Sequence, residues 1–292
     1  MGALGTDLGI FWRIQNIGLR FLVEVIESYM PKYQLRREAY PILEFDGMSA
    51  PIVEPKEYES FAETKRGIKR CLITYFTDVI DELERDLQIN QVVRIRMEGY
   101  RPRLYHMRVG SELIYVLPIP VGAPQAARML EILSARGVKK FMVCGGAGTL
   151  DDKKTGEKIL VPTSAVRDEG TSYHYLPPAR EVEINPYVLS KIMEALVEDS
   201  VDYIPVKTWT TDAIFRETVD RMKLRKSEGC DTVEMECSAF YAVAKHKGLM
   251  VGQLLYAADY LSSEGWNYRD WHTRRDKRLK LVYLALKCLM KL

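Results

Sequence analysis

Short apolar runs alternate with glycine or proline breaks and with amphipathic stretches, and no other feature of the sequence constrains the fold as much. Residues 69–76 read as a first core strand, leading through Asp78 into a helix that ends near Leu87. Residues 113–119 read as another strand. Val121-Gly122-Ala123-Pro124 follows, then a helix carrying Ala127, Leu130 and Leu133 and closing at Gly137. Residues 141–144 enter Gly145-Gly146-Ala147-Gly148, which reads as a glycine turn. A further strand is expected at 251–256, with a helix over 186–198 and a last one ending at Leu289, and residues 158–162 introduce the segment that follows them. Strand, glycine turn and helix in repeated succession predict a parallel or mixed sheet in an α/β fold. The mixed charges on one face of the last helix read as solvated surface.

Ahead of this alternation the pattern changes. Phe21, Leu22, Val25 and Ile26 fall at helical spacing within residues 11–29, and Pro41, Pro51 and Pro55 mark an extended segment over 31–55. Residues 1–67 therefore read as an N-terminal extension and 68–292 as the main folded domain. The first six residues fit an N-myristoylation pattern, but the pattern is short and common, and the simpler reading is a flexible start.

With 42 basic and 40 acidic side chains, no strong field points to nucleic acid or an anionic membrane as partner. Five cysteines at scattered spacings form no Cys/His ligand pattern and read as reduced thiols of a cytoplasmic protein. No metal and no cofactor is implied, and no run approaches the ~20 apolar residues of a spanning helix.

The stretch most suggestive of chemistry is 231–248. Glu234 and Glu236 flank Met235, Ala239, Phe240 and Val243 follow at helical spacing, and Gly248 stands where a helix would end. This spacing puts Glu236 at a helix mouth, where a carboxylate is favoured and where open α/β sheets present ligand-binding groups. A solvated acidic turn before an amphipathic helix fits the same residues.

Val233-Glu234-Met235-Glu236, followed by small residues, resembles the ribose-binding segment of the nucleoside phosphorylase superfamily, which holds purine nucleoside phosphorylases, uridine phosphorylases and several nucleosidases. Val121-Gly122-Ala123-Pro124 resembles the family's glycine-proline turn and residues 145–148 its active-site glycine turn. Residues 159–174 resemble its central hairpin region, and Thr211-Asp212-Ala213-Ile214-Phe215 the loop that stacks an aromatic ring on the base. The resemblance covers residues 68 to 289. It implies a three-layer α/β/α sandwich with a central mixed sheet, assembled as a homo-oligomer (a dimer or a hexamer).

Cleaving an N-glycosidic bond builds positive charge on the sugar. By similarity Glu236 grips the ribose hydroxyls, Met235 packs on the sugar and Glu234 assists, while Ile214, Phe215 and Asp212 belong to the base loop. Asp259 matches the aspartate that protonates the departing base, a role that needs a raised pKa. Its alternative is a strand-end aspartate capping the next helix. Uridine phosphorylases read their base with a Gln and an Arg after the stacking loop. Here Arg216, Glu217 and Thr218 follow, which favours a purine-like base.

The phosphate ligands of the family's phosphorylases are not reproduced. Tyr75-Phe76-Thr77-Asp78 replaces the Gly-Asp-Pro-x-Arg turn, Val143 the arginine and Gly146 the hydroxyl residue, leaving only a weak amide nest at Gly145 and Gly146. The sequence thus favours water as acceptor, a nucleosidase, with Asp78 as candidate base or a helix cap. Phosphorolysis at a site rebuilt from Arg101, Arg103, Arg167 or Arg216 is the runner-up, and a non-catalytic nucleoside-binding protein the third reading. Arg167, His174 and Tyr175 are expected either to line the pocket or to hold a subunit contact. Trp266, Tyr268, Trp271 and His272 are expected to pack beneath the last helix, or alternatively to fold over the cleft.

Overall fold

Strand β1 (Arg70–Thr74) shows why the apolar runs become strands here: Cys71, Leu72, Ile73 and Thr74 are all buried, as in a strand covered on both faces. The computed structural model describes residues 35–57 and 67–292, so the helix expected over 11–29 and the myristoylation pattern lie outside the described residues. The chain divides into two units, Met1–Ala50 and Pro51–Leu292. In the first, residues 35–50 are open chain with one 3-10 turn at Pro41–Leu43. The second begins extended, makes a 3-10 turn at Pro55–Glu57, and then builds the sheet. Residues 31–34 of the expected extended segment lie outside the described residues.

After β1 come α1 (Thr77–Arg85), β2 (Ile89–Arg94), β3 (Arg103–Val109), β4 (Glu112–Pro118), α2 (Ala123–Ala135) and β5 (Lys140–Thr149). The short α3 (Asp152–Thr155) leads to β6 (Ile159–Asp168), β7 (Glu181–Glu183), α4 (Pro186–Glu198) and β8 (Tyr203–Thr211). The chain closes with α5 (Val219–Ser227), β9 (Thr232–Glu234), α6 (Cys237–Lys247), β10 (Met250–Ser262), β11 (Gly265–Asn267) and α7 (Arg275–Lys291). Local chemistry sets the helix ends. Asn185 caps α4, its Oδ1 accepting from the Tyr187 and Val188 amides, with Pro186 in the first turn. Gly248 ends α6 at φ +62°, the left-handed conformation that glycine adopts without a Cβ penalty.

The sheet is mixed. β1 lies between β4 and β5, parallel to both, and β10 runs parallel to β5 on its other edge. Antiparallel β3 and β2 extend one side. On the other, β6 pairs with β8, β8 with β9 and β9 with β5, while β10 also pairs with β6; these five strands close on themselves. Helices α1, α4 and α7 pack together as one layer, and α2 with α6 as another, giving the expected α/β/α sandwich. α7 buries Leu281, Val282, Ala285 and Leu289, and its Lys277, Lys287 and Lys291 pair with Glu157, Asp199 and Glu194. The mixed-charge face is thus laced with surface ion pairs.

One expectation is corrected. Gly145, Gly146 and Gly148 form no turn; they are the C-terminal half of β5, laddered to Leu255, Tyr256 and Asp259 of β10. Close approach, not chain reversal, demands glycine there. A Cβ on Gly145 would stand 2.9 Å from the Tyr75 ring, one on Gly146 2.8 Å from the Ala258 Cβ, and one on Gly148 2.7 Å from Leu261. The Ala258 methyl cannot rotate away, so Gly146→Ala is expected to destabilise by about 1–3 kcal/mol through overpacking. Chemical denaturation of the variant checks this, and an unchanged midpoint would refute it.

Candidate functional site

At the mouth of α6 the stretch 231–248 folds as its spacing predicts. β9 ends on Glu234, Glu236 is the N-cap of α6, and both carboxyls are buried, which removes the solvated-turn alternative. The helix is capped by Glu234 instead of by Glu236: Glu234 Oε2 accepts from the backbone amides of Glu236 (2.8 Å) and Cys237 (2.6 Å). Its Oε1 accepts from Thr210 Oγ1 at 2.6 Å, and Thr210 Oγ1 accepts in turn from the Ser238 amide at 3.0 Å. Ser238 Oγ donates to Glu169, which also holds the amides of Thr171 and Ser172. Both Glu234 oxygens are thus committed to holding the junction.

Glu236 keeps more freedom. Its Oε1 accepts from the amide of Gly122, a residue at φ +116° just before α2 that needs glycine to turn its N–H inward. Burial, and then the neighbouring Glu234 charge, raises the Glu236 carboxyl; burial raises Glu234, against the hydrogen bonds it accepts. Such a pair titrates as a unit. Met235, half-buried, lies between them in the chain.

Asp259 sits within β10, opposite Gly148, and caps no helix. The ladder slips between Ala257 and Asp259, and this bulge is what aims the side chain. Asp259 Oδ2 accepts from Trp266 Nε1 at 2.5 Å. Burial raises its pKa, opposed by the Trp266 bond and by Arg269. Asp259 and Trp266 line a cleft of about 430 Å³ with Ile214, Phe215, Glu217 and Met222. Phe215 is 96 % exposed there, free to cover a planar ligand. Trp266 corrects the packing expectation for the aromatic cluster: it lies over the cleft, because its indole N–H finds the Asp259 carboxyl. Its neighbours Tyr268 and His272 stack on each other at the surface.

In the sequence Glu217 stands out only as a departure from the uridine-type base reader, not as a site residue. Half-buried in the cleft, its carboxyl has no hydrogen-bond or ion-pair partner among the described residues, and burial, then the Asp259 charge, pushes it up to about 7. Its place two residues after Phe215 was the only available signal.

Other expected residues lie elsewhere. Asp212 accepts from the Gly170 amide at 2.8 Å and faces a second cavity, of about 680 Å³, with His174 and Tyr175. It therefore ties down the loop and does not line the Asp259 cleft. Tyr175 packs edge-on against His246. Arg167 spends Nε on Ser172, Nη1 on the Pro177 carbonyl and Nη2 on the Leu176 carbonyl, a structural clamp on its own loop. Arg216 is exposed and off the cleft lining. Arg103 pairs with Asp81 and Glu84. Asp78 pairs with Arg278 at 2.9 Å, and Arg278 also donates to the Trp271 carbonyl and the Tyr256 hydroxyl. Among the described residues, no group of three or more His, Cys, Asp or Glu side chains could hold a metal, and no helix is long and apolar enough to cross a membrane.

Residues 74–286 match the Phosphorylase superfamily. The guanosine phosphorylase of Halorubrum lacusprofundi is 31% identical over 136 residues, a match covering 46% of this chain and 56% of that relative's length. Among solved structures, the uridine phosphorylase of Vibrio fischeri superposes with a TM-score of 0.63 at 21% identity, over 79% of this chain and 95% of that one. A futalosine hydrolase mutant of Helicobacter pylori superposes at 0.62 and 16% identity, over 77% and 100%. Sharing that fold, and matching the family from the last residue of β1 to within α7, this chain belongs to the phosphorylase superfamily.

Proposed function

We propose that this protein cleaves the N-glycosidic bond of a ribonucleoside with a purine-like base, and that water is the acceptor. The observation that carries the reading is the placement of two kinds of carboxyl about one bare strand segment. Gly148 of β5 pairs with Val233, one residue before Glu234, on one edge and with Asp259 on the other. The bare positions at Gly145, Gly146 and Gly148 let Tyr75, Ala258 and Leu261 pack close against the strand, and so bring the two acids toward one segment of β5.

In this reading Glu236 holds the ribose hydroxyls and faces the positive charge that develops on the sugar. Phe215 covers the base, and Asp259, whose pKa burial raises, gives its proton to the leaving nitrogen as the C1′–N electron pair moves onto the base. Glu217 offers the base edge a second carboxyl. Two observations support water over phosphate: the glycine segment is a strand and not a cradle of convergent amides, and Arg167 and Arg278 are already committed. The likeness to a guanosine phosphorylase supports a purine base, and it also supports phosphorolysis as the second reading.

Base release from a panel of purine and pyrimidine nucleosides, with and without phosphate, tests the proposal. Free ribose at one rate in both conditions is expected, and ribose 1-phosphate formed only with phosphate would establish the second reading. Asp259→Asn is expected to lower kcat on the best substrate by about 10²–10⁴-fold, the usual share of a general acid; equal turnover would remove Asp259 from the chemistry. Glu217 gives a pH signature. Its pKa near 7 in the folded protein lies above the ordinary 4.5, so folding favours its neutral form. That contribution is present below the unfolded value and lost as pH rises through about 7. Glu217→Gln, always neutral, should therefore gain Tm relative to the parent between about pH 5 and about pH 8; parallel melting curves would contradict the assignment.

A further inference from the structure

The end of the site remote from Asp259 is built around Tyr75, which follows β1 directly. β1 and β9 flank β5 on one edge, and β10 flanks it on the other. Tyr75 and Glu236 thus come from one side of the glycine segment, while Asp259 and Trp266 come from the opposite side. A nucleoside whose base reaches Asp259 turns the far face of its C1′ toward the Tyr75 side. That face is the one an acceptor attacks.

Three features of Tyr75 bear on what that acceptor is. Its ring packs against Gly145, with Cδ2 and Cε2 2.9 and 3.1 Å from where a Cβ would stand, so it occupies the room over the bare backbone. Its hydroxyl is shut off from solvent and lies against the Glu236 carboxyl, yet makes no well-formed hydrogen bond with any described residue. Around it, Glu234, Glu236, Thr210 and Ser238 all have partners. A buried phenol without a well-formed hydrogen bond is costly, and one set against a buried carboxyl offers a donor to a ligand oxygen. Burial and the two neighbouring acids hold the hydroxyl protonated, well above the ordinary tyrosine range.

We propose that Tyr75 selects the acceptor: its ring fills the space over Gly145 that a tetrahedral anion would need, and its hydroxyl hydrogen-bonds an attacking water. The inference rests on the N-glycosidic cleavage proposed above. The water oxygen bonds to C1′ as the C1′–N bond breaks, and the bonding pair leaves on the base nitrogen, which takes the Asp259 proton. The proton shed by the water passes to Glu236, the carboxyl that Tyr75 faces. Phosphate is disfavoured twice, by the ring and by the adjacent Glu234–Glu236 pair, while the nearby Arg278 is engaged by Asp78, Tyr256 and the Trp271 carbonyl.

The test compares the full-length protein with Tyr75→Phe and Tyr75→Ala on its best nucleoside, with and without inorganic phosphate, identifying the sugar product. The parent should give free ribose only. Tyr75→Phe should keep that product and its KM, lose about tenfold in kcat, and melt at a higher temperature, because the unpaired hydroxyl is gone. A merely structural tyrosine would lower Tm and leave kcat alone. Tyr75→Ala should open the space, so that phosphate either competes with turnover or appears in the product as ribose 1-phosphate. Parental kcat in Tyr75→Phe, or a Tyr75→Ala variant as indifferent to phosphate as the parent, would overturn the inference. If Tyr75→Ala does not fold, the paired kcat and Tm of Tyr75→Phe decide alone. Ribose 1-phosphate from the parent would overturn the inference while leaving glycosidic cleavage standing, and no base release from any nucleoside would overturn both.

Discussion

The Glu234 carboxylate holds the centre of this structure. Placed at the end of β9, it accepts the first free amides of α6 and the Thr210 hydroxyl of β8, so that two strands and a helix meet on one side chain. Hydrogen bonds to a charged acceptor contribute about 1.5–3 kcal/mol each, and the positive end of the helix adds to the attraction. These bonds offset the burial that otherwise favours the neutral acid. Because Thr210 also accepts from the Ser238 amide, and Ser238 donates to Glu169, the constraint continues into the loop at 169–172. Glu236 is consequently oriented by a frame that does not depend on Glu236 itself. The Glu236 carboxyl accepts from the Gly122 amide and lies against Tyr75.

A second constraint acts through strand parity. Side chains alternate across a strand, so Ala257 and Asp259 would ordinarily share a side of β10. Ala257 packs with Ala147, Leu160 and Leu255 in a small apolar cluster, a poor place for a carboxyl. The slip at Ala258 breaks the alternation and lets Asp259 face Gly148, where a Cβ would come 3.4 Å from its Oδ1. Bulge and glycine are complementary, since the extra residue redirects the acid and the missing side chain gives it room.

Much of this was legible locally. The helix limits at Pro186, Glu198 and Gly248 followed from caps and apolar spacing, and Glu236 at the mouth of α6 followed from the junction of β9 with a helical pattern. What failed was what depends on partners distant in sequence. Glycine between apolar residues signals either a turn or a close neighbour, and only the positions of Tyr75, Ala258 and Leu261 decide which. Asp78 looked like a base or a cap because Arg278, 200 positions away, was invisible. Asp212 was grouped with Phe215 by adjacency, but the chain turns between them and delivers the two to different cavities. Glu217 gained significance only when Asp259 came to face it.

Four acids fall into two pairs, the buried Glu234 with Glu236 and the half-buried Asp259 with Glu217, and each raises the pKa of a member by burial and by like charge. Such pairs work against folding, so their placement about one glycine strand calls for a reason beyond stability. The proposed reaction supplies one. A sugar passing through an oxocarbenium-like state is stabilised by negative charge, the leaving base needs an acid that is neutral at working pH, and a cleft lined by carboxyls does both. The same field opposes a phosphate dianion approaching that carbon unless cations neutralise it. With Arg167 and Arg278 already spent on local bonds, this charge supports the neutral acceptor proposed above.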